Sequence, residues 1–347
     1  MQGLFLWGLF TFDAMYKFAI VGCGRIAARH AEQIAAVGKL VAVCDVVIEK
    51  ANSFAEKFGA NVYTSLDELL EMEKDVSIIC VCTPNGLHAE HSIKSLQNGR
   101  HVLCEKPLCL TSSAAWSMMD TAHFFRRKLF IVKQNRYNEP VVFVKKLLEE
   151  NKLGQILSFQ INCFWNRPQQ YYTGDWRGTK ELDGGLLYTQ FSHFIDLLYW
   201  FLGDIETVAA HAKNNGLREH FSIEDTGAVL LQMKNGALGT INYTVNSFEK
   251  NSEGSFAIFG EKGSVKIGGQ YLNTIEWFHT EDKISYPEQE AGKPNDYGFY
   301  TGSMSNHHRV YEDLIKALEN QKNNLPEIRE AVKTVEMIEK IYKCSVD

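Results

Sequence analysis

From residue 17 the chain alternates short, wholly apolar runs with longer stretches of helical period. FAIVG precedes RIAARHAEQIAAVG, LVAVCD precedes IEKANSFAEKFG, and VSIICVC precedes GLHAEHSIKSLQNG. HVLC then precedes a helix starting near Ser112, and LFIVK closes the series. Apolar runs of strand length separated by helices predict βαβ units and a parallel sheet. The runs are apolar throughout rather than alternating, as strands covered by helices on both faces should be.

After about residue 155 the pattern changes. ILSFQINCFW, ETVAAHAK, TGAVLLQMK, GALGTINYTV, GSFAIFG and GSVKIGG alternate apolar with polar positions and are split by Gly and Asn turns. Asn235-Gly236 is the pair that a type I′ hairpin prefers. A helix is expected over about 187–201, and two more near 306–320 and 327–342 close the chain. The fold class is therefore α/β followed by α+β. A doubly wound parallel sheet spans 15–135, and an α+β domain with a large, open, mostly antiparallel sheet spans 136–347. The last helices are expected to pack back on the first domain.

Composition narrows the function. The chain has 347 residues, 45% of them hydrophobic, and a formal charge of −6. That length fits two domains with full cores. A mildly acidic chain without a basic run is a poor nucleic-acid binder. The eight cysteines are scattered, with no CxxC and no zinc spacing, so they read as buried hydrophobes of a reducing compartment, with no metal site. Cytoplasm is the expected location. The first fourteen residues, MQGLFLWGLFTFDA, lack a signal peptide's basic start and cleavage site and are too short for a membrane span. Met15 is the expected natural start and the segment before it an extension from start-site choice, a peripheral anchor being the other reading.

The first strand–helix turn, KFAIVGCGRIAARHA, carries Gly22-x-Gly24-x-x-Ala27. It follows a strand, opens a helix and has Asp45 at the end of the next strand, the context that a dinucleotide fingerprint requires. Gly22 permits the tight turn, and Gly24 lets the backbone approach a pyrophosphate at the helix N-terminus. Asp45 would accept hydrogen bonds from ribose hydroxyls and repel a 2′-phosphate, which favours NAD over NADP. Thr83, Pro84 and Asn85 follow the next strand on the rim where such sheets bind ligands.

Lys106 lies on the same rim, in HVLCEKPLCL. Alone it is as readily a solvated strand-end lysine, but among GCGRIA, TPNGLH, CEKP and GGLLYTQFSHFID the order and spacing resemble the Gfo/Idh/MocA family of NAD(P)-dependent sugar oxidoreductases. The resemblance implies that Lys106 and His193 are catalytic. It adds Arg25, Ile26, His88, Glu105, Lys106, Trp176 and Arg177 to the cofactor residues. The chemistry agrees, because oxidising an alcohol needs a base within reach of its hydroxyl, and a partly desolvated lysine suits that role. Glu105 orients the lysine or simply pairs with it, and a cis Lys106–Pro107 bond is compatible with the sequence. Asp196 orients His193 or caps backbone. Many relatives carry an acid four positions before this histidine, and here Thr189 stands instead.

The stretches KQNRYNEPV, CFWNRPQQYYTGDWRGTKELDGG and NDYGFYTGSMSNHH are similar to a branch acting on nucleotide-linked sugar acids, which includes UDP-N-acetylglucosaminuronate 3-dehydrogenases of surface-polysaccharide synthesis. Arg136 and Arg167 offer bidentate donors for carboxylate or phosphate, or else surface salt bridges. Asn135, Asn166 and Gln190 are candidates to read hydroxyl or amide groups. Trp165, Tyr171 and Tyr172 stack on a ligand or pack in the core, and Tyr297 is a weaker substrate candidate. The rival readings are an inositol or free-sugar dehydrogenase and a non-catalytic NAD sensor. Family resemblance further implies a homo-oligomer, tetramer or dimer, through the open sheet, and a small-molecule substrate with no membrane partner. It also raises reoxidation of a retained cofactor by 2-oxoglutarate.

Overall fold

The computed structural model describes residues 16–346, apart from 174, 175, 283, 287–293, 297 and 299. The expected N-terminal extension, Met15 and Tyr297 lie outside the described residues. The first sheet contains β1 (Tyr16–Val21), β2 (Gly38–Cys44), β3 (Asn61–Tyr63), β4 (Ile78–Val81), β5 (His101–Cys104) and β6 (Leu129–Ile131). All pair in parallel, in the order β3-β2-β1-β4-β5-β6. The order reverses between β1 and β4, so a crevice opens at their carboxyl ends. Helices α1 (Ala27–Val37), α2 (Ile48–Phe58), α3 (Leu66–Met72), α4 (His88–Gln97) and α5 (Ser112–Phe124) make the crossovers. The apolar runs become buried strand centres: Phe18, Ile20, Ile78, Cys80 and Leu103 face one layer, while Ala19, Ile79, Val81 and Val102 face the other.

The second half opens with α6 (Glu139–Glu149), β7 (Ile156–Phe164), α7 (Gln169–Tyr172), α8 (Leu186–Thr189) and α9 (Ser192–Leu202). The strands β8 (Ile205–Lys213), β9 (Thr226–Met233), β10 (Leu238–Thr244), β11 (Glu253–Gly260), β12 (Gly263–Gly268) and β13 (Thr274–Thr280) follow. A small pair, β14 (Pro294–Asp296) and β15 (Thr301–Met304), precedes α10 (His307–Leu318), α11 (Ile328–Lys343) and β16 (Ser345–Val346). The large sheet runs β13-β12-β11-β7-β10-β9-β8-β16. It is antiparallel except for β7 with β10 and β8 with β16. Strand β9 shows its logic, with Gly227, Val229, Leu231 and Met233 buried and the residues between them exposed. The other face is open and leaves Leu230, Leu238 and Phe259 exposed.

Two local expectations are corrected. The helix expected over 187–201 is broken after Thr189, and the Gln190 side chain at the break bonds Arg167 and Tyr171. The Asn235-Gly236 turn is not type I′: only Gly236 has positive φ, at 93°. Gly236 N donates to Met233 O at 2.9 Å and Met233 N to Ala237 O at 2.8 Å, so a three-residue loop links β9 and β10. The closing helices return: α10 packs Val310, Tyr311 and Leu314 into the layer of α1, and α11 packs on α9 and α5. Among the described residues no helix is long and apolar enough to cross a membrane.

Candidate active site

The carboxyl ends of β1, β2, β4 and β5 open into a cavity of about 880 Å³, whose far wall comes from the second half of the chain. That volume suits a cofactor and a small substrate together. Gly22 turns the chain from β1 toward α1 with φ 94°, and a Cβ there would stand 2.7 Å from the Cys82 carbonyl. A Cβ on Gly24 would meet nothing within 4 Å, so its backbone faces open space at the mouth of α1. Asp45 lines the cavity at the end of β2, where its Oδ2 accepts Cys23 N–H at 2.8 Å and its Oδ1 accepts Val47 N–H at 2.9 Å. An open backbone cradle beside a strand-end carboxylate fits NAD, with the carboxylate unfavourable to a 2′-phosphate. Gly22→Ala is therefore expected to weaken NADH binding by at least about tenfold, because the methyl group meets backbone and the φ suits only glycine. A fluorescence titration with NADH would show it.

Arg25, Ile26, Thr83, Pro84, Asn85, His88, Glu105 and Lys106 also line this cavity, as do Trp176 and Arg177 from the other half. His88 ties the two rim loops together, Nδ1 lying 2.6 Å from Pro107 O and Nε2 2.9 Å from Thr83 O. The Lys106–Pro107 bond is cis. Lys106 N–H donates to Glu105 Oε2 at 3.0 Å, and its Nζ donates to Thr189 O at 2.8 Å. Burial lowers the pKa of the Lys106 amine, while Glu105 opposes the shift. Glu105 itself is buried against His30, 2.8 Å from its Nε2. Burial alone would raise this carboxyl, but the hydrogen-bonded His30 and the nearby His307, its Nε2 3.5 Å away, hold it well below its ordinary value. Glu105 thus stays ionised and accepts the lysine's backbone N–H, and among the described residues the two side chains form no ion pair.

His193 stands on the first turn of α9, with Gln134 Nε2 3.2 Å from its Nε2. Burial, then the charges of Lys106 and Lys133, push its pKa well below the ordinary value, so the imidazole is neutral. Asp196 makes no hydrogen bond to it among the described residues. Instead it accepts a bidentate pair from Arg136, at 2.8 and 2.9 Å, together with Lys133 Nζ at 3.2 Å and Thr334 Oγ1 at 3.2 Å. This corrects two expectations. Asp196 is a counter-ion and neither orients the histidine nor caps backbone. Arg136 does not line the cavity, because its guanidinium is taken up by Asp196 and, at 2.7 Å, by Glu330.

Asn135 and Tyr172 are likewise buried away from the cavity wall. The 3₁₀ turn Gln134–Tyr137 turns Gln134, not Asn135, into the site. Tyr172 packs on Phe221 with ring centroids 4.7 Å apart. Asn166 holds Ser247 O and faces neighbouring loops. Arg167 and Gln190, by contrast, do reach the cavity. Arg167 is 1% exposed, with its guanidinium carbon 4.8 Å from the Trp165 ring and 5.1 Å from the Tyr300 ring. Its Nε donates to Gln190 Oε1 at 2.8 Å, and Gln190 Nε2 donates to the Tyr171 hydroxyl at 2.9 Å. Arg167 Nη2 and the Tyr171 hydroxyl proton have no acceptor among the described residues. Tyr300, Ser303 and Asn295 were missed, although they fall within a motif singled out from the sequence. Their hairpin brings them in, and no local period marks it.

Comparison with known proteins agrees with this geometry. Residues 16–131 match the Gfo/Idh/MocA profile described as an oxidoreductase family, NAD-binding Rossmann fold, and residues 145–345 match that family's C-terminal alpha/beta domain. The WlbA dehydrogenase of Chromobacterium violaceum, solved with NADH and UDP-GlcNAcA, is 35% identical with a TM-score of 0.87, covering 96% of this chain and 94% of that one. The Bordetella pertussis WlbA dehydrogenase, solved with the same two ligands, is 32% identical with a TM-score of 0.85, over 95% of this chain and 96% of that one. Glucose-6-phosphate 3-dehydrogenase of Bacillus subtilis is 29% identical over 73% of this chain and 74% of its own length. With a dinucleotide cradle, a half-buried lysine and a neutral histidine on one cavity, the chain belongs to the Gfo/Idh/MocA family of NAD-dependent oxidoreductases.

Proposed function

We propose that the protein oxidises a ring hydroxyl of a nucleotide-linked sugar acid, C3 of a UDP-linked N-acetylhexosaminuronic acid fitting best. The observation that carries this is the Arg167–Gln190–Tyr171 array: two donors that find no acceptor among the described residues, Arg167 Nη2 and the Tyr171 hydroxyl, held on a buried frame beside Lys106 and His193. A guanidinium already stacked between rings loses little freedom on meeting a carboxylate or phosphate. Three guanidinium groups, from Arg25, Arg167 and Arg177, lie within 5.5 Å of the Tyr171 ring centre, so this wall favours an anion. The two WlbA dehydrogenases solved with UDP-GlcNAcA support the same class.

NAD, when bound, accepts the hydride from the alcohol carbon. The protein's own part is the proton. Lys106 carries a lowered pKa and hangs from the Thr189 carbonyl, which fixes where its amine can meet the hydroxyl. The neutral imidazole of His193 offers a second acceptor and adds no positive charge to the site. Proton transfer to a positioned base of this kind is worth about 10²–10⁴ in rate. A sensor needs neither group. The exposed Leu230, Leu238 and Phe259 on the open sheet face support self-association as a tetramer or dimer.

Absorbance of NADH should rise when UDP-N-acetylglucosaminuronic acid is added to the protein and NAD. Parallel arms hold 2-oxoglutarate, glucose 6-phosphate or myo-inositol. Turnover of inositol alone would overturn the anionic reading, and turnover of glucose 6-phosphate alone would keep the anion but remove the nucleotide. Faster or repeated turnover with 2-oxoglutarate would show recycling of a retained cofactor. Arg167→Met is expected to raise KM for the sugar acid by about 10- to 100-fold, as loss of a charge-assisted contact does, with KM for NAD nearly unchanged.

A further inference from the structure

Between the rim that holds Lys106 and the loop that carries Trp176 and Arg177 lies a carboxylate with no part in the chemistry described above. Asp183 is 1% exposed and does not line the cavity. Its Oδ2 accepts Gly178 N–H at 2.9 Å, directly after Arg177. Its Oδ1 accepts a short hydrogen bond from the Thr189 hydroxyl and a longer one, 3.4 Å, from Gly185 N–H. The Asp183 carbonyl accepts Asn85 Nδ2 at 2.9 Å, and the same amide nitrogen donates to Thr189 Oγ1 at 2.7 Å. Thr189 is the residue whose own carbonyl holds the Lys106 amine.

A buried carboxylate is costly unless its lone pairs are filled, and one serving only to cap a turn needs no partner beyond backbone donors. Here its shortest bond goes to a side chain one link from the base, and another goes to the loop of Arg177. Asn85 closes the ring from the nucleotide-binding half. We propose that Asp183 is a positioning residue for hydride transfer: it binds the Trp176–Arg177 loop and Thr189 into one unit, which fixes the Lys106 amine relative to the guanidinium across the cavity.

Protonating the acid removes the charge to which the fixed Gly178 and Gly185 N–H groups point, and it turns the Thr189 hydroxyl, which also lies 3.2 Å from the Asp183 carbonyl, from donor to acceptor at the acid. Burial raises the Asp183 carboxyl to about 6, against the hydrogen bonds from Thr189, Gly178 and Gly185. The charged or titratable groups facing it are Arg177, Lys106, Tyr171, Tyr172 and Glu224. The unit is therefore intact above that pH and loosens below it.

The test uses the full chain with NAD and whichever of UDP-N-acetylglucosaminuronic acid, glucose 6-phosphate and myo-inositol the wild type oxidises. Single-turnover hydride transfer should fall about 10- to 100-fold in Asp183→Asn, with KM for NAD within about threefold. Thr189→Val, which keeps the carbonyl, should lose about tenfold, and the double variant should be no slower than Asp183→Asn, because both cut one chain. The wild-type rate should show an ionisation near pH 6 that Asp183→Asn lacks. Hydrogen exchange over residues 176–190 should quicken in Asp183→Asn at an unchanged unfolding midpoint. That readout needs no sugar, so it stands apart from the choice of substrate. A folded Asp183→Asn that transfers hydride within about twofold of wild type, or losses that add, would overturn the proposal. So would unchanged exchange. Should Asp183→Asn fail to fold, a Thr189→Val rate within about twofold of wild type would overturn it equally.

Discussion

Replacing Lys106 by alanine will lower kcat by about 10²–10⁴-fold, the range that a positioned general base supplies, while NADH affinity stays within about threefold. Lys106 lines the cavity, but the glycine turn and Asp45, the residues proposed to hold the dinucleotide, lie at the ends of other strands. Single-turnover absorbance together with NADH fluorescence separates the two effects. A wild-type rate that rises with pH follows from the same amine, because only its neutral form takes the alcohol proton. The midpoint of the rise should lie below the usual lysine value of about 10.4, since burial lowers this pKa. Lys106→Arg keeps a cation but has no accessible neutral form, and it should be as slow as the alanine variant. A single turnover at the wild-type rate in Lys106→Ala would remove Lys106 from the reaction.

The largest effect on stability is expected at Asp196. Lys133 and Arg136 are 2% and 6% exposed, and Asp196 is the buried carboxylate that meets both. Asp196→Ala leaves two buried cations without this partner, which typically costs about 3–5 kcal/mol. Urea unfolding followed by fluorescence would measure it. Adding Arg136→Met to Asp196→Ala should recover part of the loss, as one stranded charge leaves with it. Burial would raise the Asp196 carboxyl, but Arg136 and Lys133 hold it below the ordinary range. Its contribution is therefore full above the unfolded carboxyl value of about 3.9 and is lost as pH falls toward the depressed value. An Asp196→Ala midpoint equal to wild type would show that solvent or Glu330 satisfies the pair.

The parallel sheet and its ligand rim were legible because each strand is a continuous apolar run and each crossover a helix. Gly22, Asp45, Thr83 and Lys106 could thus be placed on one edge by counting strand ends. The substrate wall was legible only in part. Arg136 and Arg167 carry the same side chain in similarly polar surroundings, yet one is held by a buried aspartate sixty positions away and the other faces the cavity. Nothing local distinguishes them, because the partner that decides is distant in sequence. The same holds for Gln134 and Asn135, adjacent amides that a 3₁₀ turn sends to opposite sides. Asp183 escaped notice for a related reason: directly before two glycines it reads as a turn residue, and its tie to Thr189 exists only once the α8 turn has formed.

The return of α10 to α1 bears on how the molecule is made. His30 on α1 reaches its hydroxyl partner on Tyr311, 281 positions later, at 2.7 Å, and Phe18, Ile20 and Ala31 share a core with Val310 and Leu314. A ribosome therefore releases the nucleotide-binding strands long before the helix that covers one of their layers. Domains usually fold in the order they are synthesised. Here the first to emerge is among the last to be sealed. A stop codon shortly before residue 307 would expose that apolar layer and leave the His30–Glu105 pair without Tyr311 and His307.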